Sequence, residues 1–305
     1  MGKITVVGSL NMDLVINTPK VPVMGETVLG SSFMTVPGGK GANQAVAAAK
    51  LGGNVSMIGC VGGDIFGKDL IGNLIVNRVD ISNVKVLDGH STGVAMIVIK
   101  DGNNSIIVDP GANSQIGVQM IEDLEDIIAK SDMVVVQLEI PLETVEKAIT
   151  IAKKHQVKVL LNPAPARPLH DQLLSMVDIF TPNESECEII TGMPVKSIEN
   201  AKEAVAFLNT KGIPIVIITM GGKGAVYNNQ KEIIHKPVPE VKVVDTTAAG
   251  DSFSGAIAVA LSGGRSLDEA IDFANIVGTL TVTRKGAQSS LPSLKDVDAF
   301  KKNQY

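Results

Sequence analysis

The sequence predicts an α/β protein: a doubly wound, mostly parallel central sheet flanked by helices, with a small β-sheet lid laid against it. Two observations carry this. From residue 55 onward, apolar runs at 55–61, 133–138, 157–161, 179–181 and 213–219 alternate with helix-period patterns, and parallel strands buried on both faces need such crossovers. Four other segments, at about 10–17, 31–37, 91–99 and 104–109, alternate residue by residue, as strands with one buried and one wet face do. No internal repeat, low-complexity tract or long linker divides the chain, so residues 1–305 are expected to form a single domain with the lid strands inserted.

In chain order, residues 4–7 read as a buried strand. The first lid strand follows, with Leu10, Met12, Leu14 and Ile16 on one face and Asn11, Asp13 and Asn17 on the other. Asp101-Gly102-Asn103-Asn104 is a hairpin turn signal between the last two lid strands. In VPGGKGANQAVAAAKLGG, the side-chain-free Gly38, Gly39 and Gly41 lead into a helix marked by Ala42, Ala45, Val46 and Ala49 and stopped at Gly52 and Gly53. This is either a loop entering a closely packed helix or, because Lys40 and Asn43 stand at its start among small residues, a seat for a polyhydroxylated ligand.

Ligands of open α/β sheets bind beyond the carboxyl ends of the strands. Each such end here is polar: Glu139, Asn162, residues 183–186, residues 220–224, and Asp245-Thr246-Thr247 after a strand expected at 241–244. In TPNESE, Thr181 with Glu184 suits a capping box, while Asn183 and Glu186, three apart on one helical face, also suit a hydrated Mg²⁺. In TMGGKGA, from Thr219, the glycines admit a nucleotide beside Lys223 or simply make a tight turn.

The stretch VVDTTAAGDSFSG reads as strand, turn and helix. Phe253, Ala256, Ile257, Ala260 and Leu261 form the helix face, and Asp251 lies in the first turn. The amides of Ala248, Ala249, Gly250 and Asp251 would face an anion at the helix N-terminus. Asp251 is then either a capping acid or a general base for a hydroxyl attacking a phosphoryl group. A helix at about 267–282 turns Leu267, Ala270, Ile271 and Ala274 inward, and the RKGAQSS loop after it either ends that helix or ligates a monovalent cation through carbonyls. The tail LKDVDAFKKNQY reads as a short amphipathic helix.

Composition narrows the function. A net charge of −5 over 305 residues gives no global positive field for nucleic acid or acidic membranes. Two cysteines without CxxC spacing and four scattered histidines argue against disulfide and zinc frameworks. No window of about 18 apolar residues and no leader pattern occur, so a cytoplasmic protein is expected. Neither G-x-x-x-x-G-K-[ST] nor a strand-linked G-x-G-x-x-G is present, which disfavours a P-loop NTPase and a nicotinamide dehydrogenase.

GSLNMD, PGGKGANQAVAAAKLG, QLEIP, TPNESE and DTTAAGDSFSGA together resemble the PfkB carbohydrate kinase family over essentially the whole chain, and its ribokinase branch most. The resemblance implies ATP-dependent phosphorylation of D-ribose at O5, with Asp251 as base and Ala248, Ala249 and Gly250 as the anion hole. It also implies that Asn11 and Asp13 hold the sugar diol, with Gly39, Lys40, Gly41, Ala42, Asn43 and Glu139 completing the pocket. ATP would lie over Asn183, Thr219, Met220, Gly221, Gly222, Lys223, Gly224, Gly250 and Asn275, with Mg²⁺ held through water by Asn183 and Glu186. Potassium activation is implied at Asp245, Thr247, Thr281, Arg284, Gly286 and Ser290, and pairing of lids into a homodimer. Asn275 stands where many relatives carry histidine, and Ser289 where many carry proline. The competing readings are a sibling kinase for fructose, a deoxyribose, a nucleoside or pseudouridine, and a sugar-binding regulator without catalysis.

Overall fold

A computed structural model describes residues 2–101 and 103–304; Gly102 of the expected hairpin turn and the terminal Tyr305 lie outside them. The strands in chain order are β1 (Lys3–Val7), β2 (Asn11–Asn17), β3 (Ser32–Gly38), β4 (Asn54–Gly62), β5 (Asp80–Leu87), β6 (Gly93–Lys100), β7 (Asn103–Asp109), β8 (Met133–Val136), β9 (Lys158–Leu161), β10 (Ile179–Phe180), β11 (Ile215–Thr219), β12 (Ala225–Asn228) and β13 (Ile233–Lys236). Nine of them form one sheet in the order β13-β12-β11-β10-β9-β8-β1-β4-β5, in which only β12 runs against the others, making the β11–β12 and β12–β13 pairings antiparallel. The order reverses at β1, with β4 on one side and β8 on the other, which opens a crevice at its carboxyl end.

Successive side chains of the buried strands feed two cores. Ile4, Val6, Val135 and Leu160 join the core beneath the helices Lys40–Lys50, Ala249–Ser262 and Leu267–Thr281. Val7, Val134, Val136, Val159 and Leu161 join the one beneath Leu142–Lys154 and Ile198–Thr210. That two-sided burial is why these strands are continuous apolar runs.

The helices Lys40–Lys50 and Ala249–Ser262 pack closely because their facing residues are small. A Cβ on Gly255 would stand 2.9 Å from both the Ala47 Cβ and the Gln44 carbonyl. This contact brings two helix N-termini side by side at the mouth of the sheet.

The smaller sheet has the order β3-β2-β6-β7, with β2 and β6 parallel and both outer pairs antiparallel. The expected lid segments are these four strands. The chain passes between the sheets at residues 8–10, at Gly39, at 88–92 and at Pro110. Three passages are tied together. Asn113 donates to the Leu10 carbonyl and accepts from the Leu10 amide, the Ala112 amide donates to the Ser91 carbonyl, and Gly62 donates to the Thr92 hydroxyl.

Three expectations are corrected. No strand forms at 241–244: the β11–β12–β13 hairpins already close that edge, Val243 and Val244 stay exposed, and the Val244 and Asp245 amides bond the Val282 carbonyl. The polar face of β2 is dry at its start, where Asn11 is 3% exposed and turned toward the crevice, while Asp13 and Asn17 farther along it are half-buried. The capping box joins Asn183 to Glu186, not Thr181 to Glu184; the Thr181 hydroxyl pairs with Ser254 instead.

Candidate active site

Ala248 is the N-cap of the Ala249–Ser262 helix and holds a left-handed conformation (φ 60°, ψ 12°), which turns the chain sharply into the helix. Asp251 in the first turn is 7% exposed. Its Oδ2 accepts from Asn43 Nδ2 at 2.9 Å and its Oδ1 from Gln44 Nε2 at 3.0 Å, both donors arriving from the neighbouring helix. The Ala249 amide donates back to Thr246 at 3.3 Å. Among the described residues, the donors this turn leaves open are therefore those of Ala248, Gly250 and Asp251.

Across the crevice, Glu139 Oε2 accepts from the Ser9 hydroxyl at 2.5 Å, the Lys40 amide at 3.0 Å and, more weakly, Asn11 Nδ2 at 3.5 Å. Asn113 Nδ2 donates to Asn11 Oδ1 at 2.8 Å, which fixes that carboxamide with its NH₂ toward Glu139. Gly39 has φ 85°, and a Cβ there would lie 2.6 Å from the Asn11 amide, so only glycine fits between the sheets at this passage. Asn43 Oδ1 is buried without a partner. Gly41 packs on Ser9, and Ala42 lies in the core.

Charge is concentrated here. Burial, reinforced by Glu139 and Asp251, raises the Asp13 carboxyl to about 7, against the pull of Lys40. Burial works against the Lys40 ammonium, but Asp251, Glu139, Glu186 and Asp13 outweigh it and hold its pKa above the ordinary value. Burial likewise pushes Glu186 up.

A cavity of about 750 Å³ opens beyond the helix N-terminus, lined by Asn183, Thr219, Gly221, Gly222, Gly224, Gly250 and Asn275 and by the apolar Val238, Pro239, Val241, Val243 and Val282. A smaller one of about 170 Å³ is walled by Lys40, Asn162, Glu186, Ala248, Ala249, Gly250 and Asp251. Asn183, Thr219, Thr246, Ala249 and Gly250 line both, so the two adjoin. Side chains on Gly221, Gly222 or Gly250 would meet nothing within 4 Å, which leaves that wall open to a ligand. Met220 and Lys223 are not part of it: Met220 is 2% exposed in the core, and the Lys223 ammonium is exposed at 3.4 Å from the Lys196 carbonyl.

Asp245 bridges two loops, its Oδ1 accepting from the Thr247 amide and hydroxyl and its Oδ2 from the Gly286 amide. Burial opposes its charge, but these hydrogen bonds hold its carboxyl below the usual range. Thr281 and Ser290 are buried beside these loops, whereas the Arg284 guanidinium turns to Asp296. Sequence reasoning gave no role to Gln44 or Asn113; the only hint was a polar residue inside an alanine-rich helix and another just beyond the last lid strand.

The profile of the pfkB family carbohydrate kinases matches residues 1–294. Ribokinase of Haemophilus influenzae is 44% identical over 299 residues, spanning 97% of this chain and 97% of that protein. A deoxyribokinase of Salmonella typhi is 40% identical over 299 residues, spanning 97% and 98%. The structure of Arabidopsis thaliana ribokinase complexed with ribose and ATP matches with a TM-score of 0.93 at 35% identity, covering 99% of each chain. With a profile over nearly its whole length and relatives of this identity from end to end, the chain belongs to the pfkB family of carbohydrate kinases.

Proposed function

We propose that this protein is a ribokinase, transferring the γ-phosphoryl group of ATP to O5 of D-ribose to give D-ribose 5-phosphate and ADP. The observation that carries the reading is the adjoining pair of cavities, with Ala249 and Gly250 of the helix's first turn in the wall of both and Asp251 in the wall of the smaller one. Asp251 takes the proton from the 5-hydroxyl as O5 bonds to the γ-phosphorus. The bond from that phosphorus to the bridging oxygen breaks, ADP leaves with the electron pair, and the open amides of Ala248 and Gly250 face the charge spread over the phosphoryl oxygens. Asn11, Asp13, Asn43 and Glu139 orient the sugar. Asp13 accepts from vicinal hydroxyls, and the unpartnered Asn43 oxygen takes another.

The only side-chain oxygen of Asn183 accepts from the Glu186 amide and the Ser185 hydroxyl, and Glu186 Oε2 accepts from the Asn183 amide, so Glu186 Oε1 is the oxygen these bonds leave over, which suits an ion that keeps most of its water. Asn183 and Glu186 would hold Mg²⁺, which would supply charge neutralisation at the phosphates. Asp245, Thr247, Thr281, Arg284, Gly286 and Ser290, several through backbone carbonyls, would hold K⁺ and stiffen the turn into Ala248. Exposed Phe33, Met34, Met96 and Ile107 on the small sheet support a homodimer formed through the lid. A cytoplasmic location accords with the two free buried cysteines.

The deoxyribokinase relative makes 2-deoxy-D-ribose the second candidate. A coupled ADP-release assay over ribose, deoxyribose, fructose, adenosine and pseudouridine separates them. The highest kcat/KM is expected with ribose, and a preference of about tenfold for any other sugar, worth about 1.4 kcal/mol, would sink the assignment.

The titration of Asp13 gives a second test. Only its ionised form accepts from both hydroxyls, so the ribose KM is expected to climb as pH falls below about 7, while the ATP KM stays flat. Sugar-free stability moves the other way. The folded value of about 7 exceeds the ordinary 3.8, so this group's contribution is full below pH 3.8 and lost as pH rises through 7. Steady-state kinetics and thermal melts across that range check both signs.

A further inference from the structure

We infer that Gln44 is the positioning residue for the Asp251 carboxylate, aimed in turn by Gln137 and Asn162; this rests on the reading of Asp251 as base. All three carboxamides are buried, Gln44 and Gln137 at 0% exposure and Asn162 at 5%. They come from the Lys40–Lys50 helix and the carboxyl ends of β8 and β9.

The hydrogen bonds among them permit one orientation. Asn162 Nδ2 donates to the Thr181 carbonyl at 2.9 Å, so its Oδ1 must face Gln44. Gln44 Nε2 gives its two hydrogens to that oxygen and to Asp251 Oδ1, each at 3.0 Å. Gln137 Nε2 donates to Gln44 Oε1 at 2.6 Å. Turning Gln44 over would set its oxygen against two acceptors and its NH₂ against that of Gln137, forfeiting three hydrogen bonds where no solvent substitutes. A main-chain carbonyl just past β10 thus dictates, through two side chains, which carboxylate oxygen receives a donor.

With Gln44 on Oδ1 and Asn43 on Oδ2, the plane of the Asp251 carboxylate is fixed while each oxygen keeps a lone-pair site free. The arrangement carries a cost that stability alone does not explain. Gln137 Oε1 is buried and unpartnered, close over Gly8, where a Cβ would fall 2.1 Å from it. An apolar trio of similar volume would avoid that penalty.

The test uses Gln44→Met in the full-length protein, alone and in an Asp251→Asn background. Alone, it is expected to lower kcat about 10²-fold, with ribose and ATP KM within about twofold of the parent. In the Asp251→Asn background it should cost nothing further, because it acts only through the carboxylate; a general packing defect would lower both backgrounds. If Gln44→Met does not fold, Gln137→Met, which keeps Gln44 but removes its orienting donor, carries the same comparison with an expected loss of about tenfold. Parental kcat in the folded single variant, or an equal loss in both backgrounds, overturns the inference. An inactive Asp251→Asn beside an active Gln44→Met removes only this inference, whereas a fully active Asp251→Asn removes the base assignment itself.

Discussion

Replacing Asp251 by asparagine is expected to lower kcat by about 10²–10⁴ while leaving the KM for ATP close to that of the parent. The substitution keeps the shape but removes the proton acceptor. The nucleotide-side cavity is built largely from other residues, among them Thr219, Val241, Asn275 and Val282. A secondary effect follows from the hydrogen bonds. The parent carboxylate accepts from Asn43 and Gln44, and the NH₂ of the substituted carboxamide must oppose one of those donors. Leaving a buried donor unpaired costs about 1–3 kcal/mol, so the melting temperature should fall as well. Steady-state kinetics, ATP calorimetry and a thermal melt read the three quantities separately, and parental turnover would exclude Asp251 as the base.

Lys40→Met is expected to be comparably damaging for a different reason. The Lys40 ammonium is the cation that Asp251, Glu139, Glu186 and Asp13 surround. Lys40 walls the smaller cavity together with Gly250 and Asp251, so on the proposed reading its loss would remove a positive charge near the phosphoryl group in transfer, for which a loss of about 10²–10³ in kcat is the usual scale. Lys40 also lowers the pKa of Asp13 and of Glu186, so without it both carboxyls rise further. The fall in ribose affinity on acidification should therefore begin at higher pH than in the parent. Stability follows the linkage sign for raised carboxyls. The variant is expected to be weakest near pH 8, where the carboxylates are charged and unpaired, and to recover toward about pH 5.5 as they take up protons. An unchanged kcat, or a melting temperature independent of pH, would contradict this account.

Much of the fold was legible because strands buried on both faces are near-continuous apolar runs; MVVV at Met133–Val136 is of that kind, and β9 departs from it only at the exposed Lys158 where the strand begins. β5, DISNVKVL, was not, since an edge strand with exposed Val86 carries no apolar signature. VKVV at 241–244 failed in the opposite direction: branched residues favour extended backbone, but whether a sheet edge is free is a tertiary fact. Asp251 could be singled out because its strand-turn-helix setting is local. Gln44 could not, because its partners lie 93, 118 and 207 residues away. Periodicity placed Asn11 and Asp13 on the face opposite Met12, but could not say that this face closes over a crevice rather than meeting water.

The four passages between the sheets act mechanically as short straps from which the smaller sheet hangs like a plate. Asn11, Gly39 and the Asn113 side chain are on or beside those straps, so a bound molecule presses where small displacements have the greatest leverage. The far corners of the plate, near Phe33 and Lys100, would travel furthest, and a fluorescent label there would report occupancy without touching the molecule that causes it.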